Sequence, residues 1–403
     1  EITYGDWSSD VCSSDLGKTV LRDSGLVIGG GRIKNLGPLG ELKALYPDEE
    51  TMDYGDATIM PGLIDMHIHL GYWRGRTDEA LYTDHLIAYL ALNNAQRMLF
   101  GGVTTVRDAY CPNGVCRQLS LAAQKGFVRV PRIFHCNRAL CISGGIDWQS
   151  GGTVQVDGPE EIRKAVRAEF REGAQWIKAM TSYRSPGVAE FDQDELNMIV
   201  RECHRLGHKA MAHATLEPAL RYCVTAGFDT IEHGTDLTVA EAQAMVDKGM
   251  AWTPTIYVHQ AVYDRLDAIV REKGLDGLTD RQQQTYQLYA KSLDTYGKNF
   301  LNLYNTGLLT LAGTDCPFED MADITVAWEL ECMVKLGLDP LKAIETATRN
   351  PAKVLDMAGQ IGELSVGAIA DVVVVAGDAS QDITALKRVR AVYQGGEKVH
   401  RGF

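Results

Sequence analysis

Eight short apolar runs recur through the middle of the chain, at 63–68, 103–108, 132–137, 175–180, 208–213, 229–233, 250–256 and 308–313. Helix-like stretches separate them, the clearest from Pro159 to Phe170 and from Asp192 to Cys203. Pro159 suits a first helical turn and Asp192 an N-cap. Strands that alternate with helices pair in parallel, because each helix carries the chain back to its starting edge. Eight such units predict class α/β and a (β/α)8 TIM barrel over 59–361. An open doubly wound sheet is the competing arrangement, and the positions of the polar residues decide between them.

The flanks read differently. From Gly17 to about Thr58 the pattern is of short strands, punctuated by Gly29-Gly-Gly31 and Pro38-Leu-Gly40. Ala370 to Ala376 and Val389 to Gly396 repeat that character near the other end. Segments 17–58 and 362–403 are therefore expected to pair as one small β-sandwich domain built from both termini. Residues 5–16 have no apolar period and look like translated adaptor sequence, so 1–16 is expected to be a non-native tail outside the fold. With a native N-terminus lost behind that tail, a cytoplasmic location is expected and an exported form stays open.

Composition narrows the function. The chain has 403 residues, 45% of them hydrophobic, and a net charge of −13. An acidic surface disfavours the phosphate neutralisation on which nucleic-acid binding rests. No window of membrane-spanning length is uniformly apolar, so no membrane association is expected. Nine cysteines are too few for a disulfide scaffold. The pairs Cys111/Cys116 and Cys136/Cys141 are read as reduced core thiols, a local disulfide being the alternative.

Six ionisable residues sit where the predicted strands end. His67 and His69 are two apart on the first strand and so share a face. Lys178, His213, His233 and Asp315 end the fourth, fifth, sixth and eighth strands. Barrel enzymes keep their sites on that rim. Burying six such groups together is costly unless they hold a cation or one another. Four imidazoles and a carboxylate suit zinc or a similar ion. An ammonium has no lone pair to offer. Lys178 therefore joins only after deprotonation and capture of carbon dioxide as a carbamate, an N6-carboxylysine whose two oxygens can bridge two metal ions.

Several motifs together resemble the amidohydrolase superfamily: Pro61-Gly-Leu-Ile-Asp-Met-His-Ile-His69, Ile177-Lys178, Ser185-Pro-Gly187, Ala212-His-Ala214, Ile231-Glu-His-Gly-Thr235, Ala312-Gly-Thr-Asp315 and Ala347-Thr-Arg-Asn-Pro-Ala352. The run Leu364 to Val374 extends the likeness, which covers Gly25 to Gly396. It is strongest for the binuclear branch of Xaa-Pro dipeptidases, metallo-carboxypeptidases and ochratoxin-type amide hydrolases, with imidazolonepropionase-like proteins as cousins. The resemblance implies two divalent ions, zinc being expected. His67, His69, carboxylated Lys178 and Asp315 would hold the more buried ion, and Lys178, His213 and His233 the outer one. It also implies a bridging hydroxide as nucleophile, His233 and Asp315 in the catalytic machinery, and Asp315 as the proton shuttle to the leaving amine. The expected reaction is hydrolysis of a dipeptide or N-acyl amino acid, a small-molecule amide, by a chain expected to form a homo-oligomer. A cyclic-amide hydrolase of the imidazolonepropionase type and a catalytically inactive scaffold are the alternatives.

The chain departs from the family pattern where many relatives carry Gly-Gly-His, reading Ser143-Gly-Gly-Ile-Asp147 instead. Past the strand ends lie four candidate substrate contacts. Arg138 or Arg184 could fork to a carboxylate, and Tyr183 or Tyr257 could hydrogen-bond a developing oxyanion, Tyr257 counting also as a catalytic candidate. A solvated loop charge or rim aromatic is the competing reading for each. His204 and His208 are spaced like a helical zinc pair, but Gly207 intervenes, so structural roles are expected. His135 is a candidate to support the ligands from behind, and His85 and His259 are read as surface or packing residues.

Overall fold

A computed structural model describes residues 11–13, 19–72, 83–182, 187–316 and 325–399. The eight expected strands are Leu63–Ile68, Val103–Asp108, Arg132–His135, Trp176–Met180, Lys209–Ala214, Thr230–His233, Ala251–Thr253 and Leu309–Thr310. Neighbours pair in parallel, except that the third and fourth strands meet through Ala139–Cys141, by the pair Ala179↔Leu140. The ring closes between the last strand and the first. Met66 N–H donates to Ala312 O (2.9 Å), Asp315 N–H to His67 O (2.7 Å), and Ile68 bridges Cys316. The sheet thus curls into an α/β barrel rather than an open doubly wound sheet.

Strand lengths differ from expectation for local reasons. The third stops at His135, before the left-handed residue Asn137 (φ 56°). The seventh stops at Thr253 because Pro254 has no N–H and Thr255 (φ 53°) turns the chain into the helix Ile256–Lys273. Gly313 then lets strand eight pass close to strand one. A Cβ there would lie 2.6 Å from Thr253 Cγ2 and 2.7 Å from His67 Cβ.

The helices form the outer layer. Asp192 caps Gln193–Arg205 in a reciprocal capping box with Glu195, both bonds 2.8 Å. Pro159 lies in the first turn of Gly158–Arg171, which buries Ile162, Ala165 and Val166 against the barrel. Among the described residues no helix is long and apolar enough to cross a membrane.

The two ends of the chain interleave in one sheet, ordered Glu397–Lys398, Val389–Gln394, Val372–Ala376, Ala57–Pro61, Val11–Ser13, Thr19–Leu21. Val11–Ser13, inside the stretch read as foreign, pairs antiparallel with Thr19–Leu21. A hairpin, Ser24–Gly29 with Arg32–Pro38, contributes Leu26, Ile28 and Ile33 to a cluster shared with Ile59, Val372, Val374 and Tyr393. Arg132 ties this unit to the barrel through Asp371 (2.9 Å).

Candidate metal centre

Five barrel strands or their ends converge on one group of imidazoles. His67 and His69 ring centroids lie 5.3 Å apart, His67 and His233 5.0 Å, and His213 and His233 4.6 Å. Asp315 Oδ1 lies 3.1 Å from His69 Nε2 and 3.5 Å from His67 Nε2. Potential ligand atoms of His67, His69 and Asp315 all fall within 4.8 Å of one another, and all three residues are buried. Lys178, 1% exposed, lies two residues inside the end of its strand and pairs with Met211, two residues before His213.

Each of three rings spends Nδ1 on the scaffold. His67 Nδ1 meets Glu232 Oε2 at 2.7 Å, His69 Nδ1 the Tyr110 carbonyl at 3.2 Å, and His233 Nδ1 the Thr255 hydroxyl at 2.7 Å. The carboxylate and the carbonyl only accept, so they fix the tautomer of His67 and His69 and make Nε2 the nitrogen that could hold a metal. His67 Nε2 is buried and has no hydrogen-bond partner. Burial, with the Lys178 charge adding, pushes the His67 pKa down to about 3; burial and His213 hold His233 well below its ordinary range. Neutral imidazoles are the form that binds metal. The donor set of His67, His69 and Asp315, with one orphaned nitrogen aimed among the others, fits a divalent metal ion.

A charged layer beneath the cluster escaped the sequence reading. Arg107 is wholly buried, donating to Met66 O (2.7 Å), Thr230 Oγ1 (3.0 Å) and Glu232 Oε1 (2.8 Å), with Trp176 4.6 Å beneath its guanidinium. Burial alone would raise the Glu232 pKa, but Arg107 and the His67 hydrogen bond hold the carboxyl far below its ordinary value. Burial brings the Lys178 pKa down to about 8, against the pull of Glu232 and Asp315. Asp65 pins the closing strand by accepting from His67 N, Thr314 N (both 3.1 Å) and Thr314 Oγ1 (2.7 Å).

Backbone strain marks the same rim. His233 (φ 68°), Thr255 (φ 53°) and Asp315 (φ 54°) are all left-handed, at about 1–2 kcal/mol each. The surroundings hold His233 there: its carbonyl accepts from Trp252 Nε1 (2.8 Å) and Tyr296 Oη (3.0 Å).

The other candidates are dispersed. Arg138 is tied to Glu169 at 2.6 Å. Tyr257 opens the helix Ile256–Lys273 with its ring 5.4 Å from Trp328, and its N–H donates to Glu329 (2.6 Å). Tyr183 and Arg184 lie outside the described residues. His204 meets Asp229 (2.9 Å), and His208 stacks on Phe170 (3.9 Å). His135 is buried with Nδ1 unpartnered, and burial and Arg117 of the adjoining helix lower its pKa, to about 4. His85 is exposed, whereas His259 is buried and stacks on Tyr289 (4.7 Å), 6.4 Å from the His233 ring.

Known proteins resemble this chain in sequence and fold. A curated relative, the ochratoxinase of Aspergillus niger, is 25% identical over 419 aligned residues, 94% of this chain and 83% of that one. A crystal structure of a Xaa-Pro dipeptidase with bound methionine in the active site superposes with a TM-score of 0.86 at 25% identity, covering 99% of this chain and all of that one. A prolidase complexed with N-methylphosphonate-L-proline matches at TM-score 0.84 and 29% identity over the whole of both chains. The amidohydrolase family model matches residues 58–399, which contain the whole barrel and every residue of the imidazole cluster. The chain belongs to the amidohydrolase family.

Proposed function

We propose that this chain hydrolyses the amide bond of a dipeptide or N-acyl amino acid, using two divalent metal ions, zinc by preference, at the imidazole cluster. The observation that carries the reading is the set of three imidazoles anchored through Nδ1 around Asp315. The ochratoxinase and prolidase likenesses support an amide substrate.

His67, His69 and Asp315 would hold one ion, His213 and His233 the other, and Lys178 as its carbamate would serve both. Bound there, the ions supply an acidified water and an electrophile for the scissile carbonyl. The lysine modification follows from its surroundings. With its pKa lowered to about 8, a useful fraction of Nζ is neutral near physiological pH, and this amine adds to carbon dioxide and releases one proton. Asp315 takes the proton of the attacking water and hands it to the leaving nitrogen, a role that needs one carboxylate within reach of both. Tyr257, Tyr183, Arg184 and Arg138 remain the proposed substrate contacts, Arg138 sharing its fork with Glu169. The unit formed by 17–58 and 362–403 is proposed as a separate β-sandwich domain.

Metal-loaded protein should be screened against N-acyl amino acids, dipeptides and cyclic amides, following release of the free amine. Turnover confined to the first two groups supports the reading. Turnover of cyclic amides alone, or of none, overturns it.

A further inference from the structure

A second group of metal-type donors closes outside the imidazole cluster, at the end of the second barrel strand. Asp108 is the last residue of that strand, Cys111 follows in the loop, and Cys116 lies in the first turn of the helix Val115–Gln124. Asn113 (φ 53°) and Gly114 (φ 68°) are left-handed and fold Cys116 back over Cys111. The two Sγ atoms and a carboxylate oxygen lie within 4.8 Å of one another, and all three residues are fully buried. Asp108 Oδ2 accepts the Leu70 N–H (2.7 Å), whereas buried Oδ1 meets no N–H or O–H donor and the carboxylate has only the weak Cys116 thiol beside it. A thiol is a poor replacement for the hydrogen bond that a buried carboxylate oxygen ordinarily finds. Gly71 makes room for the cluster: a Cβ there would lie 2.3 Å from Cys111 Sγ.

We propose that Asp108, Cys111 and Cys116 bind a thiophilic divalent cation, zinc above all, at a site separate from the imidazole cluster. Two thiolates and one carboxylate form a mixed set that zinc accepts, and a water can complete the tetrahedron. Tetrahedral zinc holds two sulfurs about 3.8 Å apart at Zn–S distances of about 2.3 Å, so the donors need only draw together. Two S–H bonds break, two metal–sulfur bonds form, and two protons leave. Burial pushes both thiols up, with the neighbouring Asp108 adding, so without an ion the sulfurs stay protonated. The loop so fixed is the one that orients His69. Leu70 and Gly71 follow that histidine and touch the cluster, and Tyr110, between Asp108 and Cys111, accepts from it.

Cobalt(II) tests this directly. The full chain is stripped with chelator under reducing conditions, reloaded with cobalt, and compared with a Cys116→Ser variant by absorption and metal analysis. Sulfur-to-cobalt charge-transfer absorption, which imidazole and carboxylate ligands cannot give, is expected in the wild type. The variant should lose that band and one ion per chain. Where Cys116→Ser fails to fold, Cys111→Ser, expected to lose the same band, keeps the test. Absence of the band, equal metal content in the two folded proteins, or a Cys111–Cys116 disulfide found by mass analysis of protein handled without oxidant would overturn the proposal.

Discussion

His67 Nδ1 lies 2.7 Å from one oxygen of Glu232, and the other oxygen of that carboxylate lies 2.8 Å from Arg107 Nη2. All three side chains are buried, so one carboxylate orients an imidazole of the centre and neutralises the guanidinium beneath it. Glu232→Ala releases the ring. Metal affinity is expected to fall about 10–100-fold, as for other partners of metal-binding histidines. Titration of stripped protein with zinc checks it.

Arg107 tests the same relationship from the other side. Arg107→Met leaves Glu232 buried beside the centre without its cation, and breaking such a pair costs about 3–5 kcal/mol. Removing both charges in Arg107→Met/Glu232→Met should recover most of that loss. Denaturant unfolding of Arg107→Met, Glu232→Met and the double variant beside the wild type gives the coupling directly.

Lys178→Met removes a buried amine that burial already disfavours as a cation, so in metal-free protein the melting temperature should hold or rise, whereas the gain in melting temperature on adding zinc should shrink. Activity should fall by about 10³-fold or more, since several kcal/mol of metal-derived stabilisation are lost. Wild-type protein equilibrated with ¹³C-bicarbonate should show a carbamate carbon signal, and the variant none.

Glu329 accepts the N–H groups of Ile256 (2.8 Å) and Tyr257 (2.6 Å), standing in for a side-chain cap on the helix Ile256–Lys273. Burial raises its pKa from 4.5 to about 8. A carboxyl raised on folding binds its proton more tightly in the native state, so its contribution is whole below pH 4.5 and declines as pH rises to about 8. Glu329→Gln cannot ionise. Beyond a constant loss from one mismatched acceptor, its stability should vary less across that window, by a few kcal/mol at most. Unfolding at a series of pH values checks the sign.

The barrel was legible because its strands are apolar runs of regular spacing, and the proposed ligands because each stands at or near the end of such a run. Arg107 and Glu232 were not, since they are 125 positions apart and meet only across the closed barrel. Thr255 carries no motif; its importance lies in a left-handed turn and a hydroxyl aimed at His233. Periodicity placed His259 on a helix and could not tell that the stack on Tyr289 sets it beside the centre. Strand seven ran shorter than its apolar run because Pro254 and Thr255 turn the chain into the next helix, and past Thr310 the chain pairs with strand one, where Gly313 allows the close approach.

On the function proposed, Asp315 moves the proton in metal-dependent amide hydrolysis. The direct measurement compares turnover of one N-acyl amino acid by the wild type and by Asp315→Asn, both at saturating zinc and with metal content determined on the same samples. Amine release by the wild type, with turnover lost in a variant that keeps its metal, is the predicted result. Equal turnover by the two proteins would contradict the account.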